Sequence, residues 1–231
     1  MESKPFKLSL VIPIYNEVEL IETVLEHVRR LPYDLELVLV DDFSTDGTRE
    51  ILKREEQKPD TIVLYHERNR GKGGALRTGF AQATGDIIIV QDADMEYDPQ
   101  DIPAVIQPIL DGKCNVAYGS RFIGSVEKMR LPNRVANFLL AWMATLLYGQ
   151  HLTDEATAYK AFRREVIQSI ELKCEGFEFC PEVTAKVLRR GEKIIETPVK
   201  FVARGFNEGK KIGWPDFFVA VWTLLKYRWF S

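Results

Sequence analysis

The chain has 231 residues, of which 45% are hydrophobic and 28% are charged, and its formal net charge is -3. This composition is typical of a folded globular protein and excludes a disordered or fibrous chain. The lack of a basic excess argues against a nucleic-acid partner, and three cysteines without a CxxC pair favour a reducing compartment.

The first half of the chain alternates predicted strands and helices. Strands are predicted over residues 8–14, 35–40, 61–65, 86–90 and 116–119, because these runs are almost continuously apolar. Helices are predicted between them over 17–31, 46–58, 71–83 and 99–110, the last with Asp98 as its N-cap. This alternation predicts an α/β fold with a mostly parallel central sheet and helices on both faces.

The second half is less regular. Helices are predicted over 133–148, 164–171, 179–190 and 214–230, a strand over 157–162, and edge strands over 193–197 and 199–202. The two helices at 133–148 and 214–230 are rich in large apolar residues, a composition that suits a membrane interface, a core or a dimer contact. No apolar stretch is long enough to span a membrane, so we expect at most a peripheral contact.

Three polar clusters follow predicted strands, at residues 15–17, 41–42 and 92–94. Ligands of open parallel sheets bind beyond the carboxyl ends of the strands. One acidic pair at such a place is usually a cap or a turn, but three clusters on one rim favour a binding site. In an extended segment Asp92 and Asp94 would point the same way and could hold a divalent cation, with Glu96 extending the set.

Other phosphate and metal motifs do not fit. The segment NRGKGGALRTGF has His66 where a P-loop needs its first glycine, and Leu76 where the dinucleotide motif needs its third. We expect its glycines to permit close packing at a helix start. The three histidines show no zinc-ligand spacing.

A family resemblance rests on four segments in chain order: LSLVIPIYNE, VLVDDFSTDGT, NRGKGGALRTGF and GDIIIVQDADMEYDP. They resemble the inverting family 2 glycosyltransferases of the GT-A fold. Four later segments resemble the dolichyl- and polyprenyl-phosphate mannosyl/glucosyltransferase branch: YGSRF, TAYKAFRREV, GFEFCPEV and RGFNEGKKIGW. Phe43 departs from the family, which usually has glycine there, and we expect a changed turn geometry rather than changed activity.

The resemblance implies one GT-A catalytic domain over residues 1–231. Residues 1–119 would form the nucleotide-sugar-binding half, and 120–231 the acceptor half, which ends in an amphipathic helix. The nucleoside pocket would be lined by Pro13, Tyr15, Glu17, Val40 and Asp42. The diphosphate and a Mg²⁺ or Mn²⁺ ion would meet Asp92, Ala93, Asp94 and Glu96. Further phosphate contacts would come from Arg121 and, in a closing loop, Arg204 and Lys210. The catalytic residues would be Asp94, Arg121 and Arg204.

The implied reaction is inverting transfer of a hexose, mannose ahead of glucose, from GDP-mannose or UDP-glucose to polyprenyl or dolichyl phosphate. A phosphate monoester, whose second pKa is about 6, is largely dianionic at neutral pH. It needs cations such as Arg121 and Arg134 rather than a general base. A hydroxyl acceptor would need a carboxylate base, for which the candidates are Asp154, Glu178 and Glu182.

Two other functions stay open at this point. One is a family 2 transferase that acts on a glycan or another hydroxyl, and the other is a non-catalytic nucleotide-sugar-binding subunit. The expected location is the cytoplasmic face of a membrane, where the chain would bind peripherally. A separate membrane subunit or a homodimer is a further possible partnership.

Overall fold

The computed structural model describes residues 6–203 and 214–230. Seven strands form one sheet in the order β3-β2-β1-β4-β6-β5-β7. Only β6 runs antiparallel to its neighbours among the described strands, so the sheet is mostly parallel, as predicted. The strands are β1 (Lys7–Ile14), β2 (Asp34–Asp41), β3 (Thr61–Tyr65), β4 (Ile87–Val90), β5 (Val116–Glu127), β6 (Lys160–Arg163) and β7 (Ile194–Val202).

Helices cover both faces of the sheet, which confirms the predicted fold class. On one face lie α1 (Ile21–Val28), α2 (Thr48–Glu55) and α4 (Ile102–Leu110). On the other lie α3 (Gly71–Gln82), α5 (Leu131–Tyr148), α6 (Arg164–Gln168), α7 (Phe179–Arg189) and α8 (Trp214–Trp229).

Side-chain alternation explains why the strands are apolar throughout. In β2, Leu37 and Leu39 enter the core on the α1 side, whereas Val38 and Val40 enter the core on the α3 side. Successive residues of a strand point to opposite faces, so a strand covered on both faces must be apolar at every position. The apolar runs that predicted the strands are therefore a direct consequence of the two helical layers.

Several predicted boundaries differ from the structure. The first helix begins at Ile21 instead of residue 17, because residues 17–20 form a turn in which Glu17 O accepts hydrogen bonds from Leu20 N and Ile21 N. The second begins at Thr48, whose backbone N–H donates to Asp46 Oδ1 at 3.0 Å.

The predicted break at Pro198 is wrong, because β7 is one continuous strand through that residue. Proline is tolerated there because β7 lies at the sheet edge, and because the β5–β7 register shifts between Ser120 and Ser125. The strand β5 also continues to Glu127, eight residues beyond its predicted end.

Two helices present large apolar side chains to solvent. Those of α5 are Leu131, Val135, Phe138, Leu139, Trp142 and Leu146. Those of α8 are Phe218, Val219, Trp222 and Trp229. The helices are joined by Tyr148 Oη, which donates to Leu224 O at 2.7 Å. Within residues 6–203 and 214–230, no helix has the length and apolar character to cross a bilayer.

Candidate active site

The loops after β1, β2 and β4 concentrate unusual backbone conformations. Four non-glycine residues in the described part of the chain have positive φ, and three of them lie in these loops: Asn16 at 54°, Phe43 at 71° and Met95 at 57°. Such conformations are costly for bulky residues and cluster at functional sites. The strain therefore points to the rim that the polar clusters predict.

Hydrogen bonds tie the first two of these loops together. Asn16 N donates to Ser44 Oγ at 2.9 Å, and Thr45 N donates back to Asn16 Oδ1 at 2.8 Å. Asn16, with φ of 54°, takes part in both hydrogen bonds: its backbone N–H donates one and its side-chain amide oxygen accepts the other. The loops after β1 and β2 therefore form one unit.

Asp42, predicted in the nucleoside pocket, is buried and held in a fixed orientation. Its Oδ1 accepts a hydrogen bond from Arg70 N at 2.8 Å and lies 2.7 Å from His66 Nδ1. His66 Nε2 is in turn 2.9 Å from Thr78 Oγ1. Of the other predicted nucleoside residues, Pro13 and Val40 are register partners on adjacent strands, whereas Tyr15 and Glu17 follow β1.

Phe43 retains the left-handed backbone that glycine favours, with φ of 71°. A bulky side chain at this position therefore carries backbone strain. The expectation that the turn geometry differs from that of the family stays a prediction.

The Asp92–Glu96 segment is a turn, so the prediction of an extended segment is wrong. Met95 has positive φ, and Asp94 Oδ1 accepts a hydrogen bond from Glu96 N at 3.1 Å. Ala93 is buried beneath the turn. The positions of the Asp92 and Asp94 carboxylates are therefore set by this turn and not by the alternation of side chains along a strand.

Lys72, which the sequence analysis did not single out, binds Asp92. Its Nζ lies 2.6 Å from Asp92 Oδ1 and 2.8 Å from Oδ2. Burial opposes the charge of Lys72, but nearby acidic groups, Asp92 foremost, outweigh it and raise the pKa of the lysine. Lys72 is therefore an ammonium at neutral pH.

The glycines around Lys72 permit close backbone packing, as predicted. A Cβ at Gly71 would collide with Glu175 O, and Gly73 N donates to Gly176 O at 3.1 Å. The start of α3 therefore lies directly against the 174–176 backbone. A lysine between such glycines is the signal that could have identified Lys72.

The predicted metal ligands do not form a cluster on their own. Among residues 6–203 and 214–230, no three His, Cys, Asp or Glu side chains converge as a metal site. Asp92, Asp94 and Glu96 nevertheless offer the hard carboxylate oxygens that Mg²⁺ and Mn²⁺ prefer. A cation bound here would need further oxygens from a ligand.

Arg121 is anchored by a buried carboxylate. Its Nε and Nη2 donate to Asp154 Oδ2 and Oδ1, both at 2.7 Å, and its guanidinium lies 5.0 Å from the centroid of the Phe201 ring. Burial opposes the charge of Arg121, but Asp154 outweighs it and raises the pKa of the arginine. Asp154 is fully buried and engaged in this pair, so it is not placed as a free general base.

The other two base candidates also have local partners. Glu178 accepts hydrogen bonds from Glu175 N and Gly176 N. Glu182 accepts from Cys174 N at 2.7 Å and from Tyr227 Oη at 2.8 Å. The structure thus assigns both acids a role in holding the 173–178 segment and α8.

A cavity of about 390 Å³ joins this rim to the helices of the second half. Its charged lining residues are Lys72, Asp92, Glu96, Arg121, Arg130, Glu155 and Asp216. Apolar lining residues from α5, α7 and α8 include Ala136, Leu140, Phe179, Pro181, Phe217 and Ala220, and α5 also contributes Asn133 and Asn137. Arg130 lines the cavity where the sequence had favoured Arg134. Asp94, Ala93 and the nucleoside set are not among the lining residues, and Arg204 and Lys210 lie outside the described residues.

Glu155 is a second lining residue that the sequence analysis missed. It is fully buried, and neither carboxylate oxygen has a hydrogen-bond partner among the described residues. Burial raises the pKa of this carboxyl, and the Lys160 ammonium partly opposes the shift. Lys160 itself is buried, donates to Glu155 O at 2.6 Å and lies 3.6 Å from the Tyr118 ring centroid.

Comparison with known proteins gives consistent results. The model of glycosyl transferase family 2 matches residues 9–171. A UDP-N-acetylglucosamine–dolichyl-phosphate N-acetylglucosaminyltransferase of Methanococcus voltae is 33% identical over 224 residues, covering 86% of this chain and 89% of the relative. A dolichol-phosphate mannosyltransferase of Pyrococcus furiosus is 30% identical over 213 residues, covering 90% of this chain and 60% of the relative.

The fold is also found among solved structures. Glucosyl-3-phosphoglycerate synthase from Mycobacterium tuberculosis, in complex with Mn²⁺, UDP and phosphoglyceric acid, superposes with a TM-score of 0.75. The match covers 98% of this chain and 80% of that one, at 21% identity. The GT-A fold expected from the motifs is therefore confirmed.

Proposed function

The chain belongs to glycosyl transferase family 2, and from this premise we propose that it transfers a hexose from a nucleotide sugar to a polyprenyl phosphate with inversion. Mannose from GDP-mannose is the first candidate and glucose from UDP-glucose the second. Two relatives named for transfer to dolichyl phosphate support this acceptor class. Residues 1–119 and 120–231 are proposed as the donor and acceptor halves of one catalytic domain.

The observation that carries the acceptor assignment is the mixed lining of the cavity, which combines charged side chains with many apolar ones. Lys72, Arg121 and Arg130 supply the cations of this lining, where a phosphate would bind. Its apolar lining residues come in part from α5 and α8, the helices with exposed apolar faces. A phosphate with an isoprenoid tail matches both parts, whereas a glycan would leave the apolar walls without a partner.

The proposed reaction needs no general base. An oxygen of the acceptor phosphate attacks the anomeric carbon, while the bond from that carbon to the nucleotide diphosphate breaks and its electron pair leaves with the diphosphate. The acceptor is already ionised at neutral pH. The partners found for Asp154, Glu178 and Glu182 agree with a reaction in which none of them removes a proton.

Cations stabilise the charge that develops on the departing diphosphate. Lys72 is an ammonium beside Asp92, and Arg204 and Lys210 are proposed to add positive charge from the 203–213 segment. A Mg²⁺ or Mn²⁺ ion, when bound by Asp94 with Asp92 and Glu96, would neutralise the same charge. Arg121, fixed by Asp154, would orient the acceptor phosphate.

We further propose that the chain binds the cytoplasmic face of a membrane through α5 and α8. Exposed Trp142 and Trp222 are residues that partition into the interface between water and lipid. Lys226 and Arg228, in the last turn of α8, suit anionic headgroups. A separate membrane subunit and a second copy of the chain are other proposed partners of this surface.

The direct test is transfer of labelled sugar into a solvent-extractable lipid. Purified protein is incubated with undecaprenyl phosphate, Mg²⁺ and one of GDP-mannose, UDP-glucose or UDP-N-acetylglucosamine. We expect one donor to label the lipid, and Asp94→Ala to abolish the labelling. Asp98→Ala is a matched control because Asp98 accepts the same kind of hydrogen bond, from Gln100 N at 2.9 Å, and should remain active.

Each contrary result would overturn a different part of the proposal. Label that appears only in a water-soluble product would replace the lipid acceptor with a hydroxyl acceptor. Binding of a nucleotide sugar without turnover on any acceptor would support a non-catalytic subunit. Full activity of Asp94→Ala would remove the proposed metal role while leaving the transferase intact.

A further inference from the structure

Phe43 combines a costly backbone with an exposed ring. Its φ of 71° lies in the left-handed region, which a bulky residue rarely adopts. Its side chain remains 40% exposed, so burial of the ring in a core does not offset this cost. A strained residue that gains little from folding is a candidate for a role in binding.

The ring of Phe43 is held on one side by a fixed cation. The Arg49 guanidinium carbon lies 5.3 Å from the ring centroid. Arg49 is itself anchored, since its Nε donates to Asp41 Oδ2 at 2.6 Å and its Nη2 donates to His66 O at 2.7 Å. Arg49 therefore holds the ring in place from one side. The exposed part of the ring faces solvent and does not need to move when a ligand binds.

Phe43 also occupies the right place to meet a nucleoside. It follows the oriented carboxylate of Asp42 directly and lies in the loop that is hydrogen-bonded to the loop of Tyr15 and Asn16. Tyr15 is exposed to a similar degree, 36%. Tyr15 and Phe43 are thus two accessible aromatic residues in the loops that follow β1 and β2, and Asp42 lies in the second of these loops.

We propose that the Phe43 ring forms a wall of the nucleobase subsite and stacks on the base of the donor nucleotide. The inference rests on the proposed function, because it requires a nucleotide sugar as donor. Every base has a flat π-face, so stacking provides affinity, while hydrogen bonding by Asp42 provides selectivity. On this proposal, the strained left-handed backbone of Phe43 is retained because it presents the ring to the base.

The test compares the affinity of the whole chain for GDP and UDP, measured by titration calorimetry with Mn²⁺ present. We expect Phe43→Gly to weaken binding of the preferred nucleotide by about tenfold or more, as loss of an aromatic stacking partner does elsewhere. Phe43→Leu, which keeps apolar bulk but has no ring, should bind as weakly as Phe43→Gly. Thermal melting of Phe43→Gly should occur at or above the wild-type temperature, because glycine relieves the strain.

Tyr65→Ala is the matched control. Tyr65 is 36% exposed and its ring lies 5.7 Å from the same Arg49 guanidinium, but it lies on β3, opposite Asp41, and outside the two joined loops that follow β1 and β2. Its removal should leave nucleotide affinity unchanged. Wild-type affinity in Phe43→Gly or Phe43→Leu, or an equal loss in Tyr65→Ala, would overturn the inference alone. Failure of the wild-type chain to bind either nucleotide would overturn the proposed function and this inference together.

Discussion

Removing Asp154 should destabilise the chain strongly, because it leaves Arg121 charged and buried without its partner. The side chain of Asp154 is fully buried, and that of Arg121 is only 8% exposed. Breaking a buried ion pair by removing one member costs about 3–5 kcal/mol. For a chain of this size, we expect Asp154→Ala to lower the melting temperature by about 6–20 °C.

An exposed ion pair provides the comparison. Arg54 Nη2 and Glu22 Oε1 are separated by 2.7 Å, the same distance as in the buried pair, but their side chains are 65% and 59% exposed. Exposed pairs contribute up to about 1 kcal/mol, so Glu22→Ala should change stability little. The two pairs share a contact distance, but Asp154 accepts three hydrogen bonds from Arg121 whereas Glu22 accepts one from Arg54, so the variants differ in solvation and in hydrogen bonding.

Urea unfolding followed by circular dichroism measures both free energies of unfolding. Asp154→Asn, which keeps the shape and an oxygen acceptor but loses the charge, should fall between wild type and Asp154→Ala. Equal losses in Asp154→Ala and Glu22→Ala would refute the reasoning, since burial would then have no influence. A loss of transferase activity in soluble, folded Asp154→Asn would in addition support the positioning of Arg121.

Three further outcomes are expected. Burial opposes ionisation of Glu36, but hydrogen bonds, led by that from Lys7, outweigh it and hold the pKa of Glu36 at about 2, below its ordinary value of 4.5. The ionised Glu36 side chain stabilises the fold above pH 4.5, and this stabilisation is lost as the pH falls towards 2. The free energy of unfolding of Glu36→Gln, measured in urea, should therefore depend less on pH between 4.5 and about 2 than that of the wild type. Gly79→Ala should lose about 1–3 kcal/mol in urea unfolding, because its Cβ would collide with Val11 on β1. Replacing both Trp142 and Trp222 by Glu should abolish cosedimentation with anionic vesicles without lowering the melting temperature; retained binding would exclude α5 and α8 as the contact.

The sequence predicts the parallel part of the sheet well, because each strand there is covered on both faces and its apolar run is a local signal. It does not reveal β6 as an antiparallel insertion between β4 and β5, since strand pairing at that distance leaves no local pattern. The extension of β5 to Glu127 is missed for a related reason. Every residue from Phe122 to Glu127 is half-buried or exposed, so the strand loses its continuously buried character there.

The site residues stay predictions, but the residues found from their type and motif do come together in space. Arg121, Asp92 and Glu96 line the same cavity. Lys72 and Glu155 were missed because their significance depends on neighbours distant in sequence. For Lys72, this significance comes from its contact with Asp92, 20 residues away. Glu155 acquires it by lining the same cavity as Lys72 and Arg121.

The position of β6 has a consequence for how the chain folds during synthesis. Ile87–Val90 is buried throughout and pairs on one side with β6, which is synthesised about 70 residues later. At roughly 5–20 residues per second, this apolar edge has no partner for roughly 4–14 s. An unpaired apolar edge is a template for aggregation. Residues 1–119 and 120–231 are thus expected to fold as one unit, with β4 in need of protection until Lys160–Arg163 is synthesised.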